Sequence, residues 1–242
     1  MATWNKNDLL SNTLYSIARQ KTSFPFEVCI VDDCSDVDPE PIIRKFLPDA
    51  KYKKFTKRQG FDVVTTHALS LASNDADILI MQSSDVIHGS IDTIERLCQG
   101  VGKKQVCMAV VGNTDPPLDM YKDFENYLPL LNKQHQDGRK RSKPKKGQTS
   151  FYFFLGAIKR SDYESLKCVK GPYCDVILAE ELIKSNFIAN YPKELVGFHQ
   201  AHSVSTVPCT KIDSCSIPCS ARKRCLKQGW HTLDDYLKEY NQ

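Results

Sequence analysis

Carboxylates at two strand-like ends open the question of chemistry. Val31-Asp32-Asp33-Cys34-Ser35 follows the apolar run Phe26–Val31, and Met81-Gln82-Ser83-Ser84-Asp85 follows the apolar run Asp77–Met81. In open α/β sheets, ligands bind outside the carboxyl ends of the strands. A carboxylate at the first end can accept a hydrogen bond from a nucleobase N–H or a ribose hydroxyl, and equally one of the two Asp residues can cap the next turn. A single carboxylate at the second end, Asp85, can bind one edge of a divalent cation whose other ligands are phosphate oxygens and water. It can also cap a helix. Asp175 stands at a helix start after Gly171-Pro172, where a cap is the plain reading, and His199 by itself reads as a structural histidine. His67, His135 and His231 stay in that structural class, with His202 a neighbour of His199.

The elements that must hold these residues alternate. Leu10, Leu14, Ile17 and Ala18 fall on one helical face after the caps in Asn5–Asp8. Strands are expected over 26–31, 51–55, 77–82 and 106–111, and helices over 39–46, 61–72 and 90–99. Strands alternating with helices of about ten residues argue for βαβ units on a mainly parallel central sheet flanked by helices. Beyond Pro116-Pro117 the pattern loosens: a helix over 118–131, a mobile basic loop over 132–149, a strand over 151–158, a helix over 175–186 and a short strand over 195–198. This predicts a domain over 1–205 in two halves, 1–112 and 113–205. An irregular cysteine-containing extension, 206–242, follows.

Composition excludes several classes. Of 242 residues, 41% are hydrophobic and 26% charged, which fits a folded chain with a real core and excludes wholesale disorder. No apolar run approaches the ~20 residues of a membrane-spanning helix, and the N-terminus shows no secretory pattern, so a cytoplasmic location is expected. The net charge is +4, yet residues 133–146 alone hold seven Lys and Arg (Lys133, Arg139, Lys140, Arg141, Lys143, Lys145, Lys146) against Asp137, which leaves the remainder net negative. A localised basic segment disfavours nucleic acid, whose binders spread charge over a face. The segment reads either as a solvated loop or as a contact to an anionic acceptor or membrane surface, at up to ~1 kcal/mol per charge. Six of the ten cysteines are scattered and read as free thiols. Cys209, Cys215, Cys219 and Cys225 form C-x5-C-x3-C-x5-C, of which only the middle spacing suits structural zinc, so free thiols are preferred there too.

Ordered motifs then carry a family resemblance. Ala2-Thr-Trp-Asn-Lys-Asn-Asp-Leu-Leu, Leu14–Gln20 and Phe26-Glu-Val-Cys-Ile-Val-Asp-Asp-Cys-Ser35 resemble the opening of the family 2 glycosyltransferases of the GT-A fold. Asp77–Asp85 resembles the run into that family's acidic motif, Gly171–Phe187 its general-base helix, and Tyr191–His199 the segment after it. The likeness runs in order over roughly 2–202. It implies an inverting hexosyltransferase of glycan or polysaccharide synthesis that uses a nucleotide-sugar donor, UDP-sugar by default, with Mn2+ or Mg2+. By the same resemblance the half 1–112 would bind the nucleotide and the half 113–205 the acceptor, Ala2, Trp4 and Ser84 would line the donor site and Asp33 would hydrogen-bond the base. Arg58 would face the diphosphate, Asp85 and His199 would hold the cation, and Asp175 would be the base. The acidic motif departs from the pattern with one acid in Ser83-Ser84-Asp85, Cys174 replaces the acid before the base, and the family's opening strand would precede Ala2. Two rival readings remain: a catalytically inactive GT-A-like binding protein that uses the basic loop, and a nucleotidyltransferase. The second would want a Gly-rich basic loop after the first strand.

Overall fold

A computed structural model describes residues 1–137, 140–142, 151, 153–170 and 175–200. Gly171–Cys174, His202, His231, the four tail cysteines, the 206–242 extension and Arg139, Lys143, Lys145 and Lys146 of the basic segment lie outside the described residues.

The chain begins β1 (Ala2–Thr3), α1 (Asn7–Ala18), β2 (Cys29–Asp32), α2 (Glu40–Phe46), β3 (Lys51–Lys54), α3 (Phe61–Ser70), β4 (Ile78–Gln82) and β5 (Val86–His88). It continues α4 (Thr93–Gln99), β6 (Gln105–Met108), β7 (Val110–Thr114), α5 (Phe124–Asp137), β8 (Lys140–Ser142), β9 (Leu155–Lys159), α6 (Arg160–Glu164), α7 (Asp175–Lys184), β10 (Ile188–Asn190) and β11 (Val196–Gln200). Strands β1, β2 and β3 pair in parallel in the order β1-β2-β3. A parallel bridge between Ala2 and Ser83 joins β1 to the end of β4. On the other side of β4 the order is β4-β9-β6-β10, with β9 antiparallel to both neighbours. A smaller sheet, β5-β11-β7-β8, pairs β11 parallel to β7 and antiparallel to β5.

Burial explains the arrangement. Leu10 and Leu14 of α1 pack with Ile30 of β2, Ile43 of α2 and Ala50, so the apolar stripe of the first helix seals one face of the sheet. Each such side chain removed from water contributes about 1.5–3 kcal/mol. Met81, Met108, Ile158, Leu178 and Leu182 build a second cluster that seats α7 against β4, β6 and β9. Among the described residues, no helix is long and apolar enough to cross a membrane.

Two expectations need correction. Asn132–Asp137 are the last residues of α5, and Lys140–Ser142 form β8 against β7, so the stretch 132–149 does not begin as a loop. Helix α5 extends because Leu131 and His135 keep its inner face buried after the expected end, and His135 packs edge-on against Phe198. The strand expected over 106–111 is two strands that break at Ala109, whose N–H bonds to Leu155 O before β7 turns to pair with β11. The line between halves at 112/113 passes through β7.

Candidate active site

The segment Met1–Lys6 threads every part of the site. Ala2 lies in β1, and its neighbour Ser83 ends the β4 side of the sheet. Met1, Ala2, Gln82, Ser83 and Asp175 line one cleft of about 500 Å3, counting the open solvent at its mouth. Phe61, Leu69, Met81, Phe153 and Leu178 supply its apolar wall. Asp175 reaches the cleft as the exposed first residue of α7. Ser84 is buried beside it, and Ser83 is the serine that lines the opening.

The pair Asp32-Asp33 divides its work. Asp32 Oδ2 accepts the Ser35 N–H at 3.0 Å and the Ser35 hydroxyl bonds its other oxygen, so Asp32 closes the turn through Cys34, which has a φ of 64°. Asp33 turns the other way. Its oxygens accept the Gln59 N–H at 2.7 Å, the Gly60 N–H at 3.0 Å and Arg58 Nε at 3.0 Å. Gly60 takes a φ of 91° at the start of α3, a conformation open to glycine at little cost. Burial pushes the Asp33 carboxyl up from the ordinary carboxylate value, and the Gln59, Arg58 and Gly60 donors offset part of that rise. The Arg58 guanidinium lies 3.4 Å from the centre of the Trp4 ring. Trp4, Asp33 and Arg58 are therefore one cluster, in which Arg58 covers the indole face.

A second cluster forms at Asp85. Antiparallel register sets His199 opposite Val86, and the Gln200 N–H bonds to Asp85 O at 3.0 Å. His199 Nε2 then lies 3.6 Å from Asp85 Oδ2, with both side chains buried. Lys6 Nζ approaches the same oxygen at 3.4 Å. Lys6 occupies the cap position of α1, where an ammonium has no acceptor to offer the free N–H groups, and its side chain extends to Asp85. Burial lowers the Lys6 ammonium from its ordinary value, and the Asp85 charge and hydrogen bond partly restore it. The sequence reading did not single out Lys6. A lysine among helix-capping residues carries no local sign of a partner 79 positions away.

The oxygen and imidazole donors at Asp85 and His199 suit a divalent cation. Asp85 Oδ2 and His199 Nε2, 3.6 Å apart, are the oxygen and nitrogen atoms that would hold it. Among the described residues, no group of three or more His, Cys, Asp or Glu side chains could hold a metal ion, so a cation at Asp85 and His199 would take its other ligands from phosphate oxygens and water. Among the described residues, the other histidines lie elsewhere: His67 packs edge-on to Phe55, His88 bonds Gln82 Oε1 at 2.9 Å, and His135 bonds Val110 O at 2.9 Å.

A family model, glycosyl transferase family 2, matches residues 1–166. The chain belongs to that family. A relative by sequence is the hyaluronan synthase of Pasteurella multocida, 33% identical over 88 residues, which are 36% of this chain and 9% of that protein. Similar solved structures include S. aureus TarS, with a TM-score of 0.58 at 12% identity over 94% of this chain and 41% of that one. Another is the mannosyltransferase PcManGT from Pyrobaculum calidifontis in complex with GDP-Man and Mn2+, with a TM-score of 0.52 at 20% identity over 82% of this chain and 55% of that one. A complex of TarS 1-349 with UDP gives a TM-score of 0.53 at 14% identity, over 82% of this chain and 58% of that one. The chain thus spans under two thirds of each of these relatives, and at these identities the structural matches establish the GT-A fold.

Proposed function

We propose that the chain is an inverting glycosyltransferase that moves a sugar from a nucleotide-sugar donor, UDP-sugar by default, to an acceptor hydroxyl in one displacement. The observation that carries this reading is one cleft lined by Ala2, Ser83 and Asp175; Asp85 follows Ser83 by two residues and, with His199, stands outside its lining. The PcManGT complex with GDP-Man and Mn2+ and the TarS complex with UDP support the donor class.

In this reading the acceptor oxygen bonds to the anomeric carbon as the bond from that carbon to the donor phosphate breaks. The electron pair leaves with the nucleoside diphosphate. Asp175 takes the acceptor proton as attack proceeds, a role open to an exposed carboxylate that lines the cleft. Asp85 and His199 would hold a divalent cation, Mn2+ or Mg2+, which when bound offsets charge on the leaving diphosphate. Trp4 offers a face for the base, Ala2 permits close approach at β1, Ser84 backs the donor site, and one lone pair of Asp33 beyond its three donors can take a base N–H. Arg58 reaches the diphosphate by leaving the indole face it covers. The reading extends to a cytoplasmic chain whose basic segment 133–146 touches an anionic membrane surface, supported by the charge of that segment.

Thermal denaturation of the full chain tests the donor assignment. UDP or GDP with Mn2+ raises Tm by mass action in the wild type and not in Asp85→Ala. No shift in the wild type with either nucleotide contradicts the reading.

A further inference from the structure

Lys6 is a lysine that is largely out of solvent, at 14% side-chain exposure, and its ammonium meets the one oxygen that His199 also approaches. Buried lysines are rare without a partner, and a buried carboxylate without a counter-charge is strongly destabilising. Each charge therefore stabilises the other's burial. A divalent cation held between Asp85 and His199 would meet the Lys6 ammonium at Oδ2, and two positive charges that close repel. The side chain of Lys6 is not used to cap α1, so it can change partner without disturbing the helix.

We propose that Lys6 is a built-in counter-cation for Asp85, seated in the metal's place in the donor-free protein and transferred to the donor's phosphates when the divalent cation binds. The second half rests on the glycosyltransferase reading. A diphosphate gives the ammonium a new anionic partner, and Asp85 is thereby released to the metal. Metal and donor then bind with positive coupling, since each removes a cost the other would meet. Lys6 is a phosphate-contacting residue of the loaded site and a competitor of the metal in the empty one.

The test is Mn2+ binding to the full chain by electron paramagnetic resonance, first without nucleotide. Lys6→Met and Lys6→Gln should each bind Mn2+ about tenfold more tightly than the wild type, within the usual range of coupling between sites. Lys6→Arg keeps the charge and should keep the wild-type affinity. Circular dichroism identifies a variant that fails to fold, and the other neutral variant then carries the result. With UDP present the order should reverse, the neutral variants binding the UDP–Mn2+ complex more weakly. Folded neutral variants that bind free Mn2+ no tighter than the wild type overturn the proposal. A wild type that binds neither UDP nor GDP with Mn2+ is a separate result, and it overturns the donor reading and with it the transfer of Lys6 to phosphate.

Discussion

Asp85 and His199, 114 positions apart in sequence, meet with 3.6 Å between Oδ2 and Nε2 because β5 and β11 pair antiparallel with Val86 opposite His199. A one-residue slip of β11 would turn His199 to the other face of the strand. The contact therefore depends on sheet register, and replacing the histidine should test the site more than the fold. His199→Ala should weaken Mn2+-dependent nucleotide binding by at least the ~10–100-fold that losing even an outer partner of a metal ligand costs. Calorimetric titration with UDP and Mn2+ reads it. An unchanged affinity would remove His199 from the cation site.

Trp4 and Arg58 form a separate test of the base pocket. The guanidinium stacks 3.4 Å from the ring centre, and such contacts contribute about 0.5–2 kcal/mol. Trp4→Ala should lower stability by that order and should cut UDP affinity about tenfold, since a base stacked on an aromatic face gains ~1–3 kcal/mol. Fluorescence-independent titration, such as calorimetry, separates the two effects.

Gly112 reports on the support behind β7. A Cβ there would sit 2.7 Å from His135 Cδ2, and the imidazole is wedged against Phe198 with its Nε2 2.9 Å from Val110 O. Gly112→Ala should destabilise the chain by about 1–3 kcal/mol, the usual cost of overpacking, as read by urea denaturation.

His88 should make the fold acid-sensitive. Full burial lowers its pKa to about 3, against an ordinary 6.5 in the unfolded chain. Between those values the unfolded state binds the extra proton, so stability rises with pH through this window and falls on acidification below about 6.5. The loss approaches ~1.4 kcal/mol per pH unit. His88→Gln should flatten the pH dependence of urea midpoints between pH 4 and 6.5. A slope unchanged from the wild type would assign the acid sensitivity to other groups.

The legible parts were those written in local pattern. The apolar spacing of Leu10, Leu14 and Ile17 announces α1, and Ile78–Met81 announces β4, because each pattern repeats within a few residues. Strands β5 and β10 are three residues each, too short for any period, and neither was foreseen. The two readings of Asp32-Asp33 were balanced in sequence, and hydrogen bonds divide them: Asp32 binds Ser35 in its own turn, whereas Asp33 binds Arg58, Gln59 and Gly60 across the loop before α3. Lys6 escaped because its meaning lies wholly in a tertiary contact. The motif order singles out Asp85, His199 and Asp175 as candidates, and the family match over residues 1–166 bears out the family that this order implied.

The central claim is that Asp175, which lines the cleft with Ala2 and Ser83, removes the acceptor proton. Sugar transfer from a UDP-sugar by Asp175→Asn, measured beside its affinity for UDP and Mn2+, tests it most directly. The account predicts transfer reduced by about 10²–10⁴-fold with nucleotide affinity unchanged. Transfer at the wild-type rate by that variant would contradict it.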